Sequence, residues 1–280
     1  GGVPRRTVYG MVPGAVTGYD WVSFTTDYGL TDGFVAACKG VLAGIAPAAR
    51  VIDVTHDVPP QDVRRGATVL AQTVLWLPEA VHLAVVDPGV GTDRRGIAVR
   101  TPRGVLVGPD NGLLVPAAVA LGGITAAYEL ADPRYQLPEV SRTFHGRDVF
   151  APVAGHLCRG LDPALLGPEV DPGRLVTLSA PRTELTPGLV LADVLAVDRY
   201  GNVQLAATGG DLAAAGLEGT VLVCGRPAVL GKTFADAPPG ELVVLVDSAG
   251  QAAVAVNGDS AASALGVEPG DRVDLSAAGR

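Results

Sequence analysis

The apolar run from Val81 to Val86 constrains this chain more than any other segment. It reads as a buried strand, and it ends on a carboxylate, Asp87. Pro88-Gly89 then turns the chain at once. In an open α/β sheet, ligands bind beyond the carboxyl ends of the strands. Asp87 is therefore an acid expected at a cleft, and Arg94 brings a guanidinium seven residues on.

Around that run, strand and helix signals alternate. Short strands are predicted at Val22–Thr25, Val51–Val54 and Val81–Val86. A helix is predicted from Thr31 or Asp32, either able to cap it, with Phe34, Cys38, Val41, Leu42 and Ile45 on its apolar face and Pro47 ending it. A second runs from Asp62 to Leu77, burying Val63, Ala67, Leu70 and Val74. Ile97–Val99 and Val105–Val107 suit a hairpin. Gly112–Leu121 and Asp148–Cys158 suit further helices. The order predicts an α/β domain whose mostly parallel sheet is sandwiched by helices.

The pattern changes after Pro181 and Pro187. Short apolar runs broken by Gly, Asp and Pro follow at Leu189–Val197, Val203–Leu205, Thr220–Val223, Leu242–Val246, Ala252–Val256 and Arg272–Leu275, with one helical turn at Asp211–Ala215. They predict a smaller, β-rich, barrel-like C-terminal domain. The expected division is a tag or disordered arm over residues 1–19, an α/β domain over 20–180, a linker over 181–188 and the β domain over 189–280.

Composition narrows the function. The 280 residues carry 21 Lys plus Arg against 29 Asp plus Glu, a net charge of −8. An acidic surface argues against duplex DNA or an anionic membrane as partner. Only 5% of residues are aromatic, too few for stacking platforms on single-stranded nucleic acid. No apolar run reaches membrane-spanning length, and the first residues lack the apolar core of a signal peptide. Cys38, Cys158 and Cys224 match no zinc or redox spacing, so buried free thiols in a reducing cytoplasm are expected.

Five polar clusters fall at predicted element ends: Thr25-Thr26-Asp27, Asp53–Asp57 with His56, Asp87–Arg94, Pro109–Gly112, and Phe144–Asp148. An Asp before Gly or Pro is often only a turn former, but five such ends suit one site. A metal is not expected, because Arg94, Arg95 and Arg147 compete for the same carboxylates. His82 and His156 read as structural. Gly225–Thr233 approaches a phosphate-binding loop but has five residues between its glycines where four are needed.

Taken together, these segments resemble the S-adenosylmethionine (SAM) hydroxide adenosyltransferase, or SAM hydrolase, family, whose superfamily also holds fluorinating and chlorinating enzymes. The motifs are Thr26-Asp27-Tyr28-Gly29, Lys39-Gly40, Asp53-Val-Thr-His56, the Asp87 segment, Pro109–Leu114 and Asp198-Arg-Tyr-Gly-Asn202. The resemblance spans Trp21 to Leu275. It implies a homotrimer, with each site between the N-terminal domain of one subunit and the C-terminal domain of the next. It implies SAM as substrate, adenosine and L-methionine as products, and no metal or other cofactor.

Asp87, Arg94 and His145 match the trio of water-using relatives. Halogenating relatives carry Tyr at Asp87 and Thr at Val90, and the fluorinating branch has Ser at Gly146. A halide beside a carboxylate is repelled, whereas water welcomes an acceptor. The trio would position and activate water for attack on C5′, with Asp87 or His145 taking the proton. By position, Asp27 matches the ribose-hydroxyl ligand, Phe144 an aromatic wall, Asn202 and the backbone near Asn257 the adenine contacts. Asp32, Asp198 and Ser248 match the methionine end, although Asp32 could instead cap the first helix and Asn202 could serve only its turn. Two departures stand out: Ala249 replaces an Arg after Ser248, and Gln61 replaces a Trp over the ribose. The alternatives are a SAM-dependent halogenase and a non-catalytic adenosine- or SAM-binding protein.

Overall fold

The computed structural model describes residues 18–278, so all but the last two residues of the expected arm over 1–19 lie outside the described residues. The chain divides into two compact units, residues 1–178 and 179–280.

The first unit is built on six strands: β1 (Trp21–Thr26), β2 (Arg50–Thr55), β3 (Ala80–Val85), β4 (Gly96–Thr101), β5 (Gly104–Pro109) and β6 (Ala126–Glu129). Their order is β2-β1-β3-β5-β4-β6. The first four in that order are parallel, while β4 forms an antiparallel hairpin with β5 and pairs antiparallel with β6. Every residue of β3 is buried. Val81, Leu83 and Val85 enter a core with α1 (Phe34–Ile45) and α4 (Ala151–Cys158). Ala84 and the following Val86 enter the opposite core with α2 (Val63–Thr73) and α3 (Val115–Ala120). Because successive side chains point to opposite faces and both faces are covered, the run has no polar alternation.

Several expected boundaries move. Gly33 is the N-cap of α1, so neither Thr31 nor Asp32 caps it. Its buried stripe runs through Val35, Cys38 and Leu42, while Phe34 is 44% exposed and turns away from the core. Asp62 does cap α2, accepting from the Arg65 amide at 2.8 Å, but the α-helix gives way to a 3-10 turn at Val74–Trp76. The helix expected from Gly112 begins only at Val115, with Pro116 in its first turn. Before α4 the chain makes a π-helical turn over Gly146–Phe150. Strand β6 escaped notice because Ala and Glu carry little strand propensity.

The second unit holds β7 (Thr183–Thr186), β8 (Leu189–Val197), β9 (Val203–Thr208), β10 (Thr220–Val223), β11 (Arg226–Leu230), β12 (Leu242–Val246), β13 (Gln251–Val256) and β14 (Arg272–Ala277). Pairing of β14 with β8 closes a seven-stranded barrel, to which β7 adds along β8. Alternation is clean along β8, where Val190, Ala192, Val194 and Ala196 are buried. Residues 183–186, expected in the linker, are thus a paired strand. The Gly225–Thr233 segment, read as a failed phosphate loop, contains β11. Helical structure comprises α5 (Gly209–Ala214), α6 (Ala261–Leu265) and a 3-10 turn at Phe234–Asp236 rather than one turn at Asp211–Ala215. Cys224 is exposed in the β10–β11 turn at φ +48°, against the expectation of three buried thiols; Cys38 and Cys158 are buried. No described helix is long and apolar enough to cross a membrane.

Candidate active site

The seven-residue spacing of Asp87 and Arg94 is the reach of two successive turns. Val90 N–H donates to the Asp87 carbonyl at 3.2 Å, and Thr92 N–H donates to Gly89 at 3.2 Å. The Thr92 hydroxyl also donates to the Gly89 carbonyl at 2.7 Å. The chain is folded back, and the guanidinium lands on the carboxylate. Arg94 Nε donates to Asp87 Oδ1 at 2.9 Å and Oδ2 at 3.0 Å, and Nη2 donates to Oδ2. The same Nη2 lies 2.9 Å from His145 Nδ1. Phe150, fully buried, backs the guanidinium with its ring centroid 5.1 Å from Cζ. A guanidinium held between a carboxylate, an imidazole and an aromatic face has no free rotamer.

The Arg94–His145 contact fixes a tautomer. Arginine has donors and no acceptor, so His145 Nδ1 must be the accepting nitrogen and the imidazole is neutral. Burial and then the adjacent Arg94 charge lower the His145 pKa below its usual value, in the same sense.

His145 arrives from a loop tied down at both ends. Asp148 is buried and accepts from Arg147 Nε at 2.6 Å and from the Ser141 amide at 2.9 Å. Burial alone would raise its carboxyl, but these bonds outweigh burial and its pKa is lowered. The loop also meets the Asp87 segment at Gly91. Gly91 has φ +77°, and a Cβ there would stand 2.3 Å from the Arg142 carbonyl oxygen. Only glycine permits this approach.

Asp27, Tyr28, Gln61, Asp87, Val90 and His145 line one cavity of about 240 Å³. Asp27 follows β1 and accepts from the Gln61 amide through Oδ2 at 2.9 Å. Gln61 holds the unusual φ of +66°. Phe144 adjoins the cavity through an edge-on group of three rings: its centroid lies 5.7 Å from Tyr28 and 5.2 Å from Phe34. Helical spacing puts Phe34 in the core, which hides its place in this ring group; its position beside Asp32-Gly33 is the available signal. Asp32 itself is exposed.

Two of the five clusters hold the frame instead. Asp110 accepts from Arg95 Nε at 3.0 Å and from the Val176 amide at 2.9 Å, and Asn111 donates to the Val86 carbonyl at 2.8 Å. His56 is buried, with Nδ1 2.8 Å from Thr26 Oγ1 and Nε2 3.1 Å from Asp53, which also accepts from Lys39 at 2.6 Å. Among the described residues, no group of three or more His, Cys, Asp or Glu side chains is placed to hold a metal ion.

The second unit carries a cavity of about 720 Å³ lined by Asp198, Tyr200, Asn202, Phe234, Gly258 and Ser260, among others. Asp198 closes the β8–β9 turn: Oδ1 accepts from the Tyr200 amide at 2.8 Å and the Asn202 amide at 3.0 Å, and Oδ2 accepts from Asn202 Nδ2 at 2.7 Å. Asn257 sits at the same end of β13, its Nδ2 donating to the Ala237 carbonyl at 2.7 Å. Its N–H and C=O are used by Glu241 and Gly240, so the free backbone begins at Gly258. Ser248 lies in the β12–β13 turn at the other end of β13, a strand length of roughly 17 Å away. The structure therefore groups Asp198 with Asn202 and separates both from Ser248. Phe234 and Tyr200 were not singled out; Phe234 lay within the failed phosphate loop, whose Lys232 and Thr233 amides donate to Asp236.

Comparison with known proteins follows this division. Residues 22–167 match the SAM hydroxide adenosyltransferase N-terminal domain and residues 192–274 the corresponding C-terminal domain. The chain is 62% identical over 257 residues to an (R)-S-adenosyl-L-methionine hydrolase of Salinispora arenicola, covering 92% of this chain and 98% of that protein. It is 29% identical over 273 residues to a fluorinase of an Actinoplanes species, covering 84% and 90%. Among solved structures it is similar to an uncharacterized conserved protein from Thermotoga maritima, with a TM-score of 0.84 and 34% identity over 91% of this chain and 99% of that one.

Proposed function

The chain belongs to the SAM hydroxide adenosyltransferase family, and from that premise we propose that it hydrolyses SAM to adenosine and L-methionine. The observation that carries the chemistry is the Asp87–Arg94–His145 group in the small cavity.

The sulfonium of SAM leaves as a neutral thioether, so the departing sulfur needs no proton. The enzyme supplies an aligned water and a base. Water oxygen forms the bond to C5′ while the C5′–S bond breaks and its electron pair returns to sulfur. The proton released from water goes to Asp87. His145 is unsuited to take it, because Nδ1 already accepts from Arg94 and Nε2 carries the ring proton. Arg94 holds Asp87 and His145 in place and supplies positive charge where hydroxide character develops. A halide next to Asp87 would face a carboxylate, which disfavours halogenation.

The remaining assignments follow the cavities. Asp27 keeps acceptor capacity for the ribose hydroxyls beside its bond from Gln61. Phe34, Tyr28 and Phe144 form the apolar wall over the sugar. Asn202, Phe234 and the backbone from Gly258 offer a hydrogen-bonding and aromatic cavity for adenine. The 240 Å³ cavity is below the roughly 300–1,000 Å³ that encloses a ligand of SAM's size. A further surface must enclose the rest of the substrate, and we assign it to the second unit of another copy in the homotrimer that the family resemblance implies. Asp32 and Ser248 are placed at the methionine end, and Asp198 acts by holding Asn202. Thiols without disulfides suit the cytoplasm.

The test is incubation with SAM in halide-free buffer and chromatography of the products. Adenosine and methionine in equal amounts are expected, with Asp87→Ala losing nearly all turnover. Unimpaired turnover by that variant would remove Asp87 from the mechanism.

A further inference from the structure

An attacking water carries two hydrogens, and both must be held if a lone pair is to face C5′. Asp87 accepts one. His145 cannot accept the other, because its Nδ1 is engaged by Arg94 and its second nitrogen is a donor. Asp27 is committed to the Gln61 amide and, on the reading above, to the ribose.

Tyr28 is left. It lines the same cavity as Asp87 and His145. Its ring is wedged against Phe34 and Phe144, with centroids 6.0 and 5.7 Å away. Its hydroxyl lies over Gly146, the neighbour of His145, so closely that a Cβ on Gly146 would stand 2.1 Å from Oη. Gly146 opens the π-helical turn and has no positive φ, so its backbone does not demand glycine. What demands glycine there is the hydroxyl. Among the described residues, no side chain or backbone group hydrogen-bonds to that hydroxyl.

We propose that Tyr28 is a further catalytic residue: its hydroxyl oxygen accepts the second hydrogen of the attacking water, and Gly146 is small so that the hydroxyl can reach it. The proposal rests on the hydrolase reading. Tyr28 acts as a neutral phenol, because burial, then the nearby Cys38, Asp27 and Asp87, push its pKa far above the usual value. No proton is transferred to it; it restricts the water to one orientation while Asp87 takes the proton.

Tyr28→Phe keeps the ring and removes the oxygen. In the full chain, kcat for adenosine formation is expected to fall about 10- to 100-fold, with KM for SAM within about threefold of wild type and Tm unchanged. Gly146→Ala is the second variant: its Cβ displaces the hydroxyl without deleting it, and the same loss of kcat with retained KM is expected. Wild-type kcat in Tyr28→Phe would overturn the proposal. So would a parallel loss of kcat, KM and Tm in both variants, which marks a merely structural ring. An inactive wild-type protein would instead sink the hydrolase reading.

Discussion

Arg94 donates through one nitrogen, Nε, to both carboxylate oxygens of Asp87, at 2.9 and 3.0 Å. Its Nη2 is thereby free to reach Asp87 Oδ2 and His145 Nδ1 together. No hydrogen bond joins Asp87 to His145; each is positioned through the guanidinium.

A lysine at this position keeps the charge and loses the fork. Arg94→Lys cannot hold Asp87 and His145 in one geometry. Its kcat is expected to drop by about 100-fold or more, with a smaller change in KM, since SAM contacts elsewhere are untouched. Steady-state assays at saturating SAM check this; a lysine variant with near wild-type kcat would mean that charge alone suffices.

The His145 contact sets a pH limb. Neutral His145 accepts from Arg94, and protonation turns two donors against each other. Since burial and Arg94 lower its pKa, the imidazole stays neutral on falling through pH 6.5 and protonates only below it. The acid limb of kcat/KM is therefore expected below pH 6.5, with activity lost as pH falls through the lowered value. A His145→Gln variant, whose amide oxygen can accept from Arg94, is expected to lose that limb.

Much of this site was legible because strand-end carboxylates announce themselves. Asp87 and Arg94 are joined by turn chemistry that Pro88, Gly89 and Thr92 spell out locally. Asp27 likewise closes an apolar strand. What stayed hidden depended on packing between distant segments. Phe34 fits a helical core pattern as well as it fits a cavity wall, and periodicity cannot separate the two. Asp110 and Asp27 look alike in sequence; only the fold shows that Arg95 and the Val176 amide consume the first. Asp198 and Ser248 were assigned to one end of the ligand by position, yet β13 lies between them.

His82 offers a stability measurement away from the site. It is fully buried on β3, its Nδ1 is 2.8 Å from Ser23 Oγ, and its Nε2 has no partner. Burial, then Arg103, lowers its pKa to about 4. The folded state keeps it neutral while the unfolded chain takes up a proton below pH 6.5. Its contribution is therefore fully present above 6.5 and lost as pH falls toward 4, by up to about 3 kcal/mol. Urea unfolding of wild type and His82→Asn across that window tests it: the difference between the two should shrink as pH falls.

Asn202 separates binding from chemistry. Its Nδ2 is bonded to Asp198 and its side chain lines the larger cavity of the second unit, with nothing of the water-activating group among the residues there. If it recognises adenine, its contacts are the same in ground and transition states, so their loss raises KM and leaves kcat alone. Asn202→Ala is expected to raise KM for SAM about tenfold with kcat within about twofold. The turn survives in that variant, because Asp198 Oδ1 still accepts from the Tyr200 and residue-202 amides. Asp198→Ala removes those anchors as well, and should lower Tm in addition to raising KM. Unchanged KM in Asn202→Ala, with a lowered Tm, would assign Asn202 to the turn alone.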